Sequence, residues 1–257
     1  METLQIHRNN NYAIIEIDNG KVNAINLPLL QDLNQAFSEL LADDGVKGVI
    51  LSGRPNCFSA GLDIVSLAMG GVELAEPFWR AYFQLCQKMI RFPKPLVAAI
   101  TGYAPAGATI LALMTDYKIM ARGQKHVFGM HEFKMNLQIP ELLCHIYAYY
   151  AGEKNAWLAV QQAKLFQAEE AVEAGLVNEA AEVDEVLPKA EAYLKKLMYV
   201  SPRVYADSKR YLTRQLHQIV DLSEDRIEEM IAEHIEASNT PEAQMMVKMF
   251  VEQLKKK

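Results

Sequence analysis

Leu4 to Arg8 and Tyr12 to Asp18 alternate apolar and polar residues, the period of a strand with one buried face. The turn-prone Asn9-Asn10-Asn11 between them predicts a hairpin. From Leu27 to Ala42 the period changes: Leu30, Leu33, Phe37, Leu40 and Leu41 recur at helical spacing. Gly48-Val49-Ile50-Leu51-Ser52 then reads as a short buried strand, and a loop rich in Gly, Pro and Asn runs on to Gly61. A helix over about 77–90, a strand from Leu96 to Ile100 and a Gly/Ala/Pro turn over 102–107 follow. A helix to Thr115 and a strand from Tyr117 to Ala121 complete this half. Strands alternating with helices predict an α/β layered fold with parallel crossovers.

Beyond Pro140 the pattern turns helical, over about 153–163, 168–174, 184–199, 201–215, 223–237 and 241–254, and strand signals nearly vanish. In the last of these Met245, Met249, Phe250 and Leu254 make an apolar stripe that needs a partner surface, either core or a second subunit. No internal repeat or low-complexity tract is visible.

A chain of 257 residues with 51% hydrophobic and 23% charged residues suits one large domain, or one domain with a helical appendage. The net charge is −6, and no basic face shows beyond Lys255, Lys256 and Lys257, which read as solvating a helix end. That argues against a nucleic-acid partner. Cys57, Cys86 and Cys144 form no CxxC pair and no disulfide framework. Nothing at the N-terminus reads as a secretory or transit peptide, and no uncharged apolar stretch would cross a bilayer. A soluble cytoplasmic protein with no membrane partner is expected.

Two loops leave strands in the same way. One is Asn56-Cys57-Phe58-Ser59-Ala60-Gly61-Leu62-Asp63-Ile64, and the other is Gly102-Tyr103-Ala104-Pro105-Ala106-Gly107-Ala108. Both carry small residues where a backbone can approach another group closely. Pro105 precedes a helical run, so Gly107 falls in the first turn with a free N–H and the positive helix end behind it. The loops either aim one amide each at an oxygen that becomes negative, or are ordinary strand-to-helix turns. Neither matches GxGxxG or a P-loop, which removes support for dinucleotide or ATP binding.

Phe58-Ser59-Ala60-Gly61-Leu62-Asp63-Ile64 resembles the first signature of the crotonase (enoyl-CoA hydratase/isomerase) family. Gly102 to Ala108, followed by Asp116-Tyr117-Lys118-Ile119-Met120-Ala121, resembles the second. Ala168-Glu169-Glu170-Ala171-Val172-Glu173-Ala174-Gly175-Leu176-Val177-Asn178 is similar to a further landmark, and Val22-Asn23-Ala24-Ile25-Asn26 to the early coenzyme-binding turn. The resemblance spans nearly the whole chain in order and spacing.

It implies a spiral of ββα units over residues 1–190 holding an acyl-CoA site, and a helical region over 191–257 for packing and trimerisation. It implies an oxyanion hole from the amides of Ala60 and Gly107 that stabilises a thioester enolate. The substrate would lie along Val22, Ala24, Ala60, Leu62, Asp63, Ile64, Ala106 and Gly107. Coenzyme A enters as part of the substrate, so no separate cofactor and no metal are expected. A homotrimer or dimer of trimers is.

Members differ in their acid–base groups. Hydratases typically use two glutamates, and the first position, three residues beyond Gly107, is Ile110 here. The second falls in Phe128-Gly129-Met130-His131-Glu132, where the carboxylate is present. Moving a double bond needs one base that takes a proton from C2 and returns it at C4. A lone Glu132, an apolar residue at 110 and the C-terminal Met249-Phe250-Val251-Glu252-Gln253-Leu254-Lys255 resemble the mitochondrial-type Δ3,Δ2-enoyl-CoA isomerases, in fatty-acid β-oxidation. The alternatives are an enoyl-CoA hydratase or other crotonase reaction, or a non-catalytic acyl-CoA-binding protein. Phe128, Met130, Phe133 and Met135 around Glu132 predict a raised pKa.

Glu141, just after Pro140, is the rival acid, and the glycine that the family often carries beyond the base is Asn136 here. His131-Glu132 is half of HExxH, but position 135 is Met, so no zinc site is expected. Ser59 and Cys57 read as loop residues, and Lys21 and Arg80 are candidates for holding the coenzyme phosphates. Trp79, Tyr82, Phe83, Tyr147, Tyr149 and Tyr150 are candidates for either the acyl tunnel or ordinary core.

Overall fold

A computed structural model describes residues 1–255, with strands β1 (Leu4–Asn9) and β2 (Tyr12–Ile17) forming the expected hairpin. Asn10 turns it at φ 49, a left-handed conformation that asparagine tolerates better than most residues. Helix α1 (Leu27–Ala42) starts where the Asn26 side chain accepts from the Leu29 N–H, with Pro28 in its first turn.

Three turns of chain follow with one plan: a long strand, a short strand, then a helix or turn. They are β3 (Val49–Gly53), β4 (Asn56–Cys57) and α2 (Ile64–Ile90); then β5 (Leu96–Ile100), β6 (Gly102–Pro105) and α3 (Gly107–Leu113). The third has β7 (Tyr117–Ala121), β8 (Phe128–Gly129) and a 3-10 turn over Glu132–Met135.

The helical half comprises α4 (Glu141–Ala151), α5 (Glu153–Gln161), α6 (Ala168–Glu173), strand β9 (Glu179–Ala181) and α7 (Val183–Leu197). It ends with α8 (Pro202–Leu212), α9 (Arg214–Ile219), α10 (Glu224–Ser238) and α11 (Pro241–Lys255). The long strands join one six-stranded sheet in the order β1-β2-β3-β5-β7-β9, parallel except at the hairpin, and the short ones a second sheet β4-β6-β8. The chain is a spiral of ββα units.

Burial on both faces explains the near-continuous apolar strands of the large sheet. Ile50, Val97, Ala99 and Ile119 face α7 through Val186, Ala190 and Leu194. Val49, Leu51, Leu96, Ala98 and Met120 face the larger core under α1, α2 and α4. The boundary expected at residue 190 falls inside α7, and the larger core extends from Leu4 to Ile231.

Several elements depart from expectation. α2 begins at Ile64, where the Asp63 side chain accepts from the Ser66 N–H, and bends at Gly71 (φ 59, ψ −155) ahead of Pro77. Residues 102–105 form a strand because the short strands on either side supply its partners. β9 was not foreseen, α4 falls in the helical stretch expected beyond Pro140 but outside its expected ranges, and the helix expected over 201–215 breaks at Thr213. Lys256 and Lys257 lie outside the described residues, as do the side chains of Phe250 and Leu254; Met245 and Met249 are exposed.

Candidate active site

The segment expected to hold the coenzyme is laced to the first signature loop. The Ala60 N–H donates to the Val22 carbonyl at 3.0 Å, the Ile25 N–H to Gly61 at 2.8 Å, and the Asp63 N–H to Ile25 at 2.9 Å. Asn23, fully buried at φ 51, donates its side-chain N–H to the carbonyls of Ile17 and Phe58. Ser59 has the loop role expected of it: Oγ donates to the Asn23 carbonyl at 2.6 Å and accepts from the Gly61 N–H at 3.1 Å.

The second loop meets the first. A Cβ on Gly61 (φ 83) would lie 3.0 Å from the Pro105 carbonyl, and one on Gly107 2.7 Å from a Leu62 methyl. Glycine therefore permits both the turn and the approach. Ala106 adopts φ 55 and ψ −125, a strained conformation for a residue with a Cβ, and its N–H donates to Gly129 at 2.8 Å. Behind it the Tyr82 hydroxyl donates to the Gly107 carbonyl at 2.7 Å, fixing the first turn of α3.

Among the described residues the N–H groups of Gly107 and Leu62 have no acceptor. That corrects the expected pair of amides at one position. The Ala60 N–H is spent on Val22, and Leu62, beyond the left-handed turn at Gly61, carries the open donor of the first loop.

Strand β8 pairs with β6 and delivers the chain to the 3-10 turn that starts at Glu132. Glu132 is 9% exposed and is the one buried carboxylate among the described residues. Burial pushes it up to about 7, against the pull of the backbone N–H groups of Glu132 and His131. Its Oε2 has no hydrogen-bond partner. Burial and the Glu132 charge together push the Tyr147 hydroxyl up to about 12 and the Cys144 thiol to about 11. Tyr82 is raised by burial and by the charges of Cys86 and Glu132. Asn136 closes the turn at φ 50, doing in the left-handed region what a glycine would do there.

Residues 7–257 match the family model described as enoyl-CoA hydratase/isomerase. The chain belongs to that family. A relative from Rattus norvegicus, enoyl-CoA delta isomerase 1, mitochondrial, is 32% identical over 205 residues, 79% of this chain and 69% of its own. A Thermus thermophilus relative that carries an enoyl-CoA hydratase name is 31% identical over 202 residues, 77% of this chain and 79% of its own. The solved structure of human mitochondrial delta3-delta2-enoyl-CoA isomerase shares the fold, with a TM-score of 0.93 over 99% of both chains at 24% identity.

Ile110 is fully buried in α3 and offers no proton. Glu141 is exposed at the start of α4 and pairs with Arg226 at 2.5 Å and with His145 at 3.4 Å, so it does not join Glu132. Arg80 pairs with Glu228 and Glu76, while Lys21 is exposed. Asp63 is occupied in capping α2. Val22 is exposed at the rim, with Ala24, Ala60, Leu62 and Ile64 half-buried below it. Trp79 and Phe83 are core, with Trp79 edge-on to His234. No group of three His, Cys, Asp or Glu residues among those described could hold a metal ion.

Proposed function

We propose that this protein isomerises 3-enoyl-CoA to trans-2-enoyl-CoA, with Glu132 as the proton shuttle and the amides of Leu62 and Gly107 as the oxyanion donors. The observation that carries this reading is the solitary buried carboxylate. Isomerisation needs one acid–base group. Glu132 takes a proton from C2 of the 3-enoyl thioester, the thioester oxygen becomes an enolate facing the two amides, and the same carboxyl returns the proton at C4.

A base near 7 is ionised often enough at neutral pH to abstract and basic enough to do so. Such a base contributes about 10²–10⁴-fold and each oxyanion donor on the order of 10²–10³. The coenzyme end lies along Val22, Ala24, Ala60 and Ile64, and the thioester meets Leu62, Ala106 and Gly107. The substrate class is that of fatty-acid β-oxidation, and the isomerase-named relatives support it.

Hydration of a 2-enoyl thioester is the second reading, favoured by the hydratase-named relatives. It needs a water activated beside Glu132, with no help from Ile110. A homotrimer or dimer of trimers fits α8, which buries none of its residues within one chain and exposes Val204, Tyr211 and Leu212. A reducing cytoplasm suits the free cysteines, and none of the described helices is long and apolar enough to cross a membrane.

Glu132→Gln keeps the size of the side chain and removes the base. It lowers 3-enoyl-CoA turnover by about 10²–10⁴-fold. A variant as fast as the parent would remove Glu132 from the reaction.

A further inference from the structure

The Glu132 charge acts on three polar side chains, Tyr82, Cys144 and Tyr147, and only one phenol among them is uncommitted. Tyr82, on α2, has given its hydroxyl to the Gly107 carbonyl at 2.7 Å. Cys144, on α4, directs its thiol to the Ile139 carbonyl at 3.6 Å. Tyr147 stands one turn further along α4, on the same face as Cys144. Its side chain is 2% exposed, and its hydroxyl has no hydrogen-bond partner. The Glu132 charge reaches this hydroxyl, and Glu132 Oε2 is likewise buried and without a partner.

A buried donor and a buried acceptor, each left unpaired, cost the free energy of two desolvated polar groups. Native interiors rarely leave such a pair unmade. In empty sites catalytic hydrogen bonds are often long and tighten when substrate occupies the pocket.

We propose that Tyr147 is a positioning residue for Glu132, donating its hydroxyl hydrogen to Oε2 of the ionised carboxylate and so holding the base in its reactive orientation. This rests on the reading of Glu132 as the base. The direction of the effect follows from the charge: a donor to the carboxylate favours its ionised form. No cation among the described residues competes for the role. The carboxyl is otherwise perturbed by burial and by the backbone N–H groups of Glu132 and His131, with no charged side chain of α5 or α11 among the described residues contributing. His131 Nδ1 is also buried and unpaired beside the turn, and burial with the nearby Lys134 charge pulls that ring below its ordinary value, so His131→Leu is the control that separates its contribution from that of Tyr147.

The test is Tyr147→Phe, which removes one oxygen and keeps the ring in the core. The acid limb of kcat/KM for 3-enoyl-CoA moves up by about one pH unit, the size expected for loss of a hydrogen bond to a charged group. The alkaline plateau falls less than the rate at pH 6. Cys144→Ala, one turn away, leaves the limb where it was and so controls for repacking of α4.

A direct readout runs alongside: carbon NMR of side-chain-labelled glutamate, with the Glu132 signal assigned by its loss in Glu132→Gln. The carboxyl titrates about one unit higher in Tyr147→Phe than in the parent. Superimposable titrations overturn the proposal, and so does a loss of rate without a shift of the limb. Because the NMR titration needs no turnover, it decides the role of Tyr147 even if 3-enoyl-CoA is not the substrate. Absence of turnover in the parent would count against the isomerase reading alone.

Discussion

Glu132 is buried to the point where its charge is costly, and that cost bears on stability. In the folded chain the carboxyl holds its proton up to about 7, against 4.5 as the ordinary value. Between those values the folded state binds more protons than the unfolded one, so stability falls as pH rises through that window. The shift is equivalent to about 3 kcal/mol when fully developed. Glu132→Gln therefore melts above the parent at pH 8 and close to it at pH 4, as thermal denaturation at both pH values would show. Equal shifts at both would mean that the carboxyl is not strained by its setting.

This residue was singled out by the family resemblance of the Phe128–Glu132 segment, and only its raised pKa was legible from its apolar neighbours. The open amide of the first loop is that of Leu62, two residues beyond the Ala60 expected to carry it. Which N–H is free depends on a hydrogen bond from Ala60 to Val22, a partner more than thirty residues away, and on the left-handed Gly61 between Ala60 and Leu62. Small-residue content marks such a loop but does not show which amide is already used.

At the scale of elements, α10 is held on α2 through a histidine that has no charged partner. His234 is 6% exposed, lies with its ring 4.5 Å from Trp79, and leaves Nδ1 without a hydrogen bond. Burial pulls it down from 6.5 to about 4. The unfolded chain takes up a proton first as pH falls, so stability is lost from about pH 6.5 down towards 4. The contribution approaches about 3 kcal/mol. His234→Leu keeps the contact with Trp79 and removes the proton. Its melting temperature falls less between pH 7 and pH 5 than that of the parent, by differential scanning calorimetry, and parallel falls would contradict this account.

Elements with a strong local period, such as α1, β3, β5 and α10, were readable because their partners need only be apolar. Strand β6 was not. Its four residues look like a turn, and only pairing with Asn56-Cys57 and Phe128-Gly129 makes them a strand. β9 is short for the same reason, with three residues that depend on β7.

At the scale of the molecule the exposed apolar face of α8 has the character of an interface. Tyr211 is 66% and Leu212 84% exposed, beside Arg210 and Arg214. Assembly by this face predicts that Tyr211→Glu with Leu212→Glu lowers the sedimentation coefficient of the protein to that of a single chain without unfolding it. An unchanged oligomer would move the interface elsewhere. The α/β layering was legible because strand and helix periods alternate through the first half of the chain, the spiral came only with the family resemblance, and the second sheet was hidden in strands of two to four residues.

The central claim is that one buried carboxylate and two open amides move a double bond and add nothing to it. Incubation of the purified protein with a 3-enoyl-CoA, with products separated by chromatography, tests this most directly. The account predicts conversion to trans-2-enoyl-CoA, with no 3-hydroxyacyl-CoA formed by the protein. Accumulation of 3-hydroxyacyl-CoA from the 2-enoyl thioester would show that water is activated beside Glu132, and the chain would then be a hydratase.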